Sequence, residues 1–450
     1  MSKDGELFSC LPSRLCVPGK ACSSAGLLRP TSARRVPKSV KPSVFAPFQV
    51  VSFRFQWPAD LLNSWAFEME TLILGWFILV ETGSVLALTI FASLQFIGTL
   101  IAPILGVLGD RLGRRNVLCV MRALYACLAA TLLSFAWDGS LTPTHVFVIS
   151  FFAGLIRPSD LVMRNGLIGD TMPPDRLMSG MGISRTTVDS ARIAGALIGA
   201  GLFSQFGIGT AYLVITCFHV MSFCLTFGVS RVRLARAAGP DGGMASPWSD
   251  LKGGLGYVWS MPMILAAMWL AFLVNLTVFP ITHGILPYVA REIYLVDENG
   301  LGQMIASYAV GALLGSITMT MMGGWRRPAR FMMINIWLMY GALFAFGMVE
   351  GKLAGQAFLM LTGYIQSLSM VAMAVTLLAC ADRQFRGLVM GVRMLAVYGL
   401  PVGLMGAGFF IERFGFAPTV AVYSVFGLLV SLYIAHRWRR EIWHGVRDDV

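Results

Sequence analysis

From Phe53 onward the chain repeats one pattern, in which apolar runs of about 20 to 26 residues alternate with short polar breaks. A helix rises about 1.5 Å per residue and the hydrocarbon core of a bilayer is about 30 Å thick, so each run is long enough to cross once. The runs fall near 55–80, 85–108, 117–136, 144–168, 178–204 and 209–229, then near 258–282, 301–322, 329–349, 353–378, 386–410 and 415–436. The pattern predicts an all-α polytopic membrane protein with 12 transmembrane helices, laid out as six, linker, six. Residues 51–230 form the N-terminal six-helix bundle and 257–437 the C-terminal one. A cytoplasmic linker, 231–256, carries Arg231, Arg233, Arg236, Gly242, Gly243 and Lys252.

Composition points the same way. The 450 residues are 56% hydrophobic and 13% charged, against about 25% charged in an ordinary soluble domain. A soluble globular protein is excluded. The net charge of +12 would suggest nucleic acid if it lay in one patch, but Lys and Arg sit in loops and tails, so the expected partner is the lipid bilayer and not nucleic acid. Cytoplasmic loops carry the Lys and Arg excess, and here the even breaks are basic, with Arg111, Arg114, Arg115, Arg176, Arg326, Arg327, Arg330, Arg383 and Arg386. The odd breaks hold Asp138, Asp297, Glu298 and Glu350 against Arg291, Lys352 and Arg413. Both termini are therefore expected in the cytoplasm. Residues 1–50 are rich in Ser, Pro, Lys and Arg and lack the apolar stretch of a secretory signal, which predicts a disordered basic tail. A transit peptide and an over-extended start remain open there. Residues 438–450 form a second cytoplasmic tail.

Eight cysteines are present, with no CxxC pair and no zinc-ligand spacing to histidine, so neither a metal nor a disulfide is expected. The chain has no GxxxxGK[ST] phosphate loop, no HExxH and no GxSxG. Neither catalytic residues nor cofactors are expected, and transport must draw on a gradient. An intramembrane lipid-modifying enzyme stands as the alternative of a different class, and a scaffold or sensor as a further one.

Between the second and third runs the sequence reads Gly106-Val-Leu108-Gly-Asp110-Arg111-Leu-Gly113-Arg114-Arg115-Asn-Val-Leu118. This resembles the G-x-L-a-D-R-x-G-R-R/K-x-x-L signature of the major facilitator superfamily at every defining position. Gly106 lets two helices approach, Gly113 permits a tight turn, and Asp110 can sit near a positive helix N-terminus. Arg111, Arg114 and Arg115 face the anionic leaflet and the other bundle as part of a gating motif. The resemblance covers about residues 50–436 and implies the major facilitator fold, two pseudo-symmetric bundles working by alternating access. Glu81-Thr-Gly83-Ser84 and Leu94-Gln-Phe96 look like the same region of the enterobactin-exporter and macrolide-efflux group.

Three departures matter: the first, a lost proline, takes weight from an antiporter, and the second implies a gate built only on the first copy of the loop motif. The exporter signature G-P-x-x-G-G of span five reads Gly195-Ala-Leu-Ile-Gly199-Ala-Gly201, the second copy of the loop motif at Gly323-Gly-Trp-Arg326-Arg327 lacks an acid, and Arg157-Pro158-Ser159-Asp160 replaces R-x-x-Q-G in span four. Gly195 and Gly199 recur as Gly311 and Gly315 in span eight. The family architecture would make these spans neighbours across the pseudo-two-fold, where small faces would allow close sliding contact, with ordinary tight helix packing without motion as the equal alternative.

An ionisable group at bilayer depth costs at least about 2.5 kcal/mol, so it must face protein or water. Span one holds Glu68 and Glu70, which at 100° per residue lie about 200° apart. One is expected to face the central cavity and the other a neighbouring helix, with Asp60, Ser64 and Thr71 as a polar stripe between them. Span four carries Arg157, Asp160 and Arg164, and span five Arg185, Asp189 and Arg192, each trio on one stripe. The two trios are mirror images about Pro173-Pro174. Arg157 with Asp189, and Arg192 with Asp160, are then offset by about 4.5 Å along the axis, within reach of an arginine. The expectation is a neutral buried network. Arginine does not release its proton, so Glu68 or Glu70 is the expected proton carrier, exchanging arginine partners between states. A purely structural clamp is the competing reading.

Spans seven and ten contain no ionisable residue at depth. Asn275, Tyr364 and Gln366 are the expected substrate-cavity residues, with satisfied interhelical hydrogen bonds as the plainer alternative. His219 reads as a packed core histidine, and Arg393 as a residue of a cytoplasmic gate. A cavity charged on one wall and apolar with amides on the other suits an amphipathic compound. The expected function is proton-coupled export of a small amphipathic organic compound by an antiporter with efflux activity. The alternative is uptake of an organic anion by proton symport, since surplus arginines bind carboxylates bidentately. The expected partners are a small-molecule substrate and protons, the expected state a monomer, and the expected location a bacterial inner membrane, multi-pass.

Overall fold

Among the described residues the regular structure is entirely helical. In the computed structural model these residues are 45–101, 105, 108–109, 111–230, 256–322, 327–382 and 385–443. Gly106, Asp110, most of the linker and the outer parts of both tails lie outside them. The helices fall within one compact unit, Pro42–Val450.

Span one is Val51–Thr82, and span two is Val85–Leu94 with a 3-10 turn at Ile97–Leu100. Span three is Arg114–Trp137 and span four Pro143–Thr171. Spans five and six form one run, Pro174–Thr226, broken at Gly207, whose φ of 77° and ψ of 177° are open only to glycine. Unbroken, such a run would be about 80 Å long, more than twice a bilayer core. Span seven is Pro262–Thr277, continued by wide turns at Pro280–Gly284 and Val289–Ile293, where Pro280 and Pro287 remove backbone donors. Spans eight, nine and ten are Glu298–Met321, Pro328–Met348 and Lys352–Cys380. Span eleven is Arg386–Leu395 and Gly399–Phe414 about a 3-10 turn, and span twelve is Phe416–Arg437. Among the described residues nine helices are long and apolar enough to cross a membrane. Glu68 and Glu70 dilute span one, and span two is short. With those two added and the Gly207 break counted, the helices are consistent with the expected 12 passages.

The helix starts follow from local chemistry. Ser84, Thr142 and Asp297 cap spans two, four and eight through bonds to the amides of Ala87, His145 and Gly300. Proline occupies the first turn of spans four, five, seven and nine, where its missing N–H costs nothing.

Glycine pairs set the tightest crossings, and they repeat between the halves. A Cβ on Gly195 or Gly199 of span five would come within 2.8 Å of Glu68 Cβ and 3.0 Å of Met69 Cα in span one. Gly399 of span eleven would meet the Phe272 carbonyl of span seven at 2.7 Å, and Gly403 presses on Leu276 one turn later. Likewise Gly154 of span four lies on the Leu94 carbonyl of span two, and Gly363 of span ten on the Tyr308 carbonyl of span eight. The same close contacts at matching places are the internal pseudo-symmetry of the fold. They also correct one expectation: Gly311 and Gly315 press on Met360 and Tyr364 of span ten and do not meet Gly195 and Gly199. Small residues go to the closest crossings, which here lie within each half. At the seam of spans five and eight, Gly302 instead packs on Ala196 and Ala200. Asn299 donates to Ser204 at 2.7 Å across this seam, on its odd-break side.

Candidate functional site

Gly195 draws span five onto span one, and Arg192, one turn away, is thereby brought to Glu68. The Arg192 Nε to Glu68 Oε1 distance is 3.6 Å, with side chains 32% and 22% exposed. Across the seam Arg192 is within electrostatic reach of Tyr308 in span eight and His283 at the end of span seven. The His283 and Tyr308 rings meet edge to face at 5.0 Å, and His283 Nδ1 lies 2.9 Å from Thr282 Oγ1. Gln366 of span ten reaches Tyr308 and leaves its own buried Oε1 without a partner. One carboxylate and one guanidinium from the first half thus face a phenol, an imidazole and an amide from the second.

Glu70 lies on the other face of span one, as the 200° separation requires. It shares a small cavity with Thr71, Gln95, Ser150 and Arg157. Arg157 donates to Gln95 Oε1 and, at 3.1 Å, to Thr71 Oγ1, and its guanidinium sits 4.7 Å over the Phe67 ring. The free space is about 20 Å³, enough for roughly one water. Tyr212 lies behind Glu70 with its hydroxyl outside hydrogen-bond geometry.

A third cluster lies toward the even breaks and is fully enclosed. Asp60 pairs with Arg122 of span three, which is 0% exposed and also donates to Thr226 Oγ1 of span six. Asp160 pairs with Arg164 at 2.8 Å. Gln56 donates to the Arg164 carbonyl at 3.0 Å, and Arg164 to Ser64 Oγ at 3.0 Å. His219 is buried beside Asn63, with Nδ1 3.0 Å from Oδ1, a core histidine. Two acids and two guanidiniums pair here with no water-facing member.

The expected diagonal pairs do not form. Arg157 takes Gln95 and Thr71, Arg192 takes Glu68, and Asp189 and Asp160 pair along their own helices with Arg185, at 3.2 Å, and Arg164. Span five packs on span one rather than on span four, so the acid nearest Arg192 is Glu68. The single neutral network is in fact three separate clusters and, apart from them, the Arg185–Asp189 pair on span five.

Of the three expected cavity residues, only Gln366 reaches the seam. Asn275 donates to the Ala271 carbonyl of its own helix at 2.8 Å and lies beside Gly399. Tyr364 turns its backbone to Gly315, and being about 200° from Gln366 around span ten it cannot share that face. In the loop motif Gly113 takes φ 87° and Arg111 is exposed. Arg114 binds Asp170 at 2.7 Å and the Gly166 carbonyl at 3.0 Å, and Arg115 binds the Thr226 and Phe227 carbonyls. The described bonds of these two arginines fasten span three to spans four and six within the first half. Arg122 and Gln95 escaped the sequence reading. Their signal was a lone arginine eight residues inside span three and a lone amide closing a short apolar span.

The profile of the Major Facilitator Superfamily matches residues 57–405. The uncharacterized MFS-type transporter YfiS of Bacillus subtilis (strain 168) is 22% identical over 176 residues. That match takes in 39% of this chain and 40% of that protein, so the chain spans about two-fifths of this relative's length. Among solved structures, a bacterial homolog of the human lysosomal transporter Spinster superposes with TM-score 0.68 at 12% identity, covering 88% of this chain and 98% of that one. The nucleoside transporter NupG gives 0.65 at 14%, over 86% and 99%. The human organic anion transporter MFSD10 gives 0.56 at 16%, again over 86% and 99%. At such identities these likenesses speak for the fold alone.

Proposed function

The chain belongs to the major facilitator superfamily, and on that premise we propose that it is a multi-pass membrane transporter, not an enzyme, that exports a small amphipathic organic compound in exchange for protons. The observation that carries this reading is the Glu68–Arg192 contact, the one titratable acid of the three clusters that meets a guanidinium at the seam while both remain partly exposed. In alternating access the seam is where the two halves part. Protonation of Glu68 releases Arg192, and loss of that proton restores the pair, so the state of one side chain follows the state of the whole molecule. Tyr308, His283 and Gln366 offer an aromatic and hydrogen-bonding wall, which suits a compound with a ring and a few polar groups. The resemblance of residues 81–96 to the enterobactin-exporter and macrolide-efflux group favours export.

The moving bodies are residues 51–230 and 257–437, joined by 231–256, with tails 1–50 and 438–450. The basic even breaks support cytoplasmic termini and an odd-break side facing outward, in a bacterial inner membrane, with the monomer as the working unit. Asp110 with Arg111 and Gly113 remains the reading for a cytoplasmic gate. The test is a screen of amphipathic compounds in inside-out vesicles with an imposed ΔpH. Accumulation that collapses when the gradient is dissipated supports export, and accumulation indifferent to ΔpH for every compound that moves rejects proton coupling.

A second reading, uptake of an organic anion by proton symport, draws on the exposed fraction of Arg192, whose fork would take a carboxylate in place of Glu68. One structural neighbour is itself described as an organic anion transporter. Uptake into right-side-out vesicles driven by an inward proton gradient would favour this reading over export.

A further inference from the structure

Span one ends at Gly83, whose φ of 62° closes the helix, and span two starts at once with Ser84 as its cap. Two opposite helix ends therefore sit within a few residues on the odd-break side. The carbonyl end of span one is the negative pole of its dipole and the amide end of span two the positive pole. The second half supplies the complementary charge to each. Arg291, beyond span seven, donates from Nη1 to the Leu79 carbonyl at 2.8 Å. Glu412, in the last turn of span eleven, accepts on Oε1 from the Ser84 hydroxyl at 2.6 Å and from the Leu86 amide at 3.0 Å. Exchanging the two charges would turn both contacts repulsive.

We infer that Glu412 and Arg291 are gating residues, a two-point latch that holds the odd-break side shut by gripping the turn between spans one and two. The inference rests on the alternating-access reading above. Both contacts join the two halves, and neither belongs to the three charge clusters of the first half. Both are also solvent-reachable, with Arg291 shared with Glu292 at 3.5 Å, so each is individually weak. A charge at a helix end shifts an equilibrium by roughly two- to thirtyfold, a range a transporter can cross on every cycle. The enclosed Asp60–Arg122 pair has no such reversibility. Latching by helix ends also explains why the chain turns so tightly at Gly83: a longer loop would let the two poles move independently.

The test is the distance between spin labels at Ser140 and Glu350, exposed odd-break positions in opposite halves, introduced as unnatural amino acids so that the native cysteines stay. Wild type should give mainly the short, closed distance. Glu412→Gln and Arg291→Met should each raise the long-distance population by roughly two- to thirtyfold. Glu412→Lys should raise it more than Glu412→Gln, because lysine repels the amide end where glutamine only stops attracting it. Glu441→Gln, on the opposite side, should change nothing. If Glu412→Lys does not fold, Glu412→Ala, which removes both bonds and leaves the Ser84 cap on Ala87 in place, should give a rise at least equal to that of Glu412→Gln. Distance distributions of Glu412→Gln and Arg291→Met that both match wild type overturn the latch, as does equal opening in Glu441→Gln. A failed latch leaves proton-coupled export standing, and ΔpH-driven flux in Glu68→Gln tests that reading separately.

Discussion

Replacing Glu68 by glutamine keeps the shape of the side chain and deletes its charge and its proton site. At 3.6 Å, unit charges attract by about 1 kcal/mol at the dielectric of water and about 5 kcal/mol at an effective value near 20. With the two side chains 22% and 32% exposed, solvent screening brings the net contribution toward the low end, about 1 kcal/mol. Folding should hardly change, with only a small drop in the melting temperature of the detergent-solubilised protein. The transport phenotype should be large. ΔpH-driven accumulation should fall at least tenfold, while exchange of labelled for unlabelled substrate, which moves no net proton, should continue. The assay is proteoliposome flux with and without an imposed gradient, run on the compound found in the screen. Accumulation within twofold of wild type under ΔpH would refute the assignment, because no charge or proton site would then remain at residue 68 to respond to the gradient.

The enclosed cluster behaves oppositely, and Asp60→Asn should destabilise the fold by roughly 3–5 kcal/mol by stranding buried Arg122, read as a large fall in melting temperature; a change no greater than that of Glu68→Gln would show that Arg122 finds another partner. Gly199→Leu and Gly403→Leu should both abolish monodisperse protein in size-exclusion chromatography, since each forces apart a matched crossing, while Gly201→Ala, with open space around it, should be silent; tolerance of either leucine contradicts the close-packed crossing. Tyr308→Phe and Gln366→Ala should raise KM several-fold and keep ΔpH dependence, and loss of coupling with KM unchanged would instead make the second wall part of the proton path.

Apolar run length carried most of the fold. The break expected between residues 204 and 209 falls at Gly207, and the expected span 353–378 is the helix Lys352–Cys380. Run length works because a bilayer imposes one length on every crossing. The loop motif was equally plain, since it fixes residue types at set offsets. Partnerships were not legible. Periodicity gives the angle at which Arg192 or Gly311 leaves its helix, but not which helix lies at that angle, and so the diagonal ion pairs and the Gly195–Gly311 seam were both misassigned. Arg122 was missed because a single arginine in an apolar run reads as an interface residue until Asp60 of a distant span is set against it. Gln366 reaches the seam while Asn275 bonds its own helix, a difference periodicity does not carry, because an amide in a membrane helix is equally at home in a cavity and on its own backbone carbonyl.

Whether Glu68 carries the coupled proton can be read from proton release into weakly buffered detergent solution when the transported compound is added to purified protein, followed with a pH indicator dye. If Glu68 gives up its proton as substrate binds, wild type and Glu70→Gln should release protons on addition when the protein starts at a pH acidic enough to protonate Glu68 and free Arg192, and Glu68→Gln should release none at any starting pH. Undiminished release from Glu68→Gln would contradict the account and move the coupling site elsewhere in the molecule.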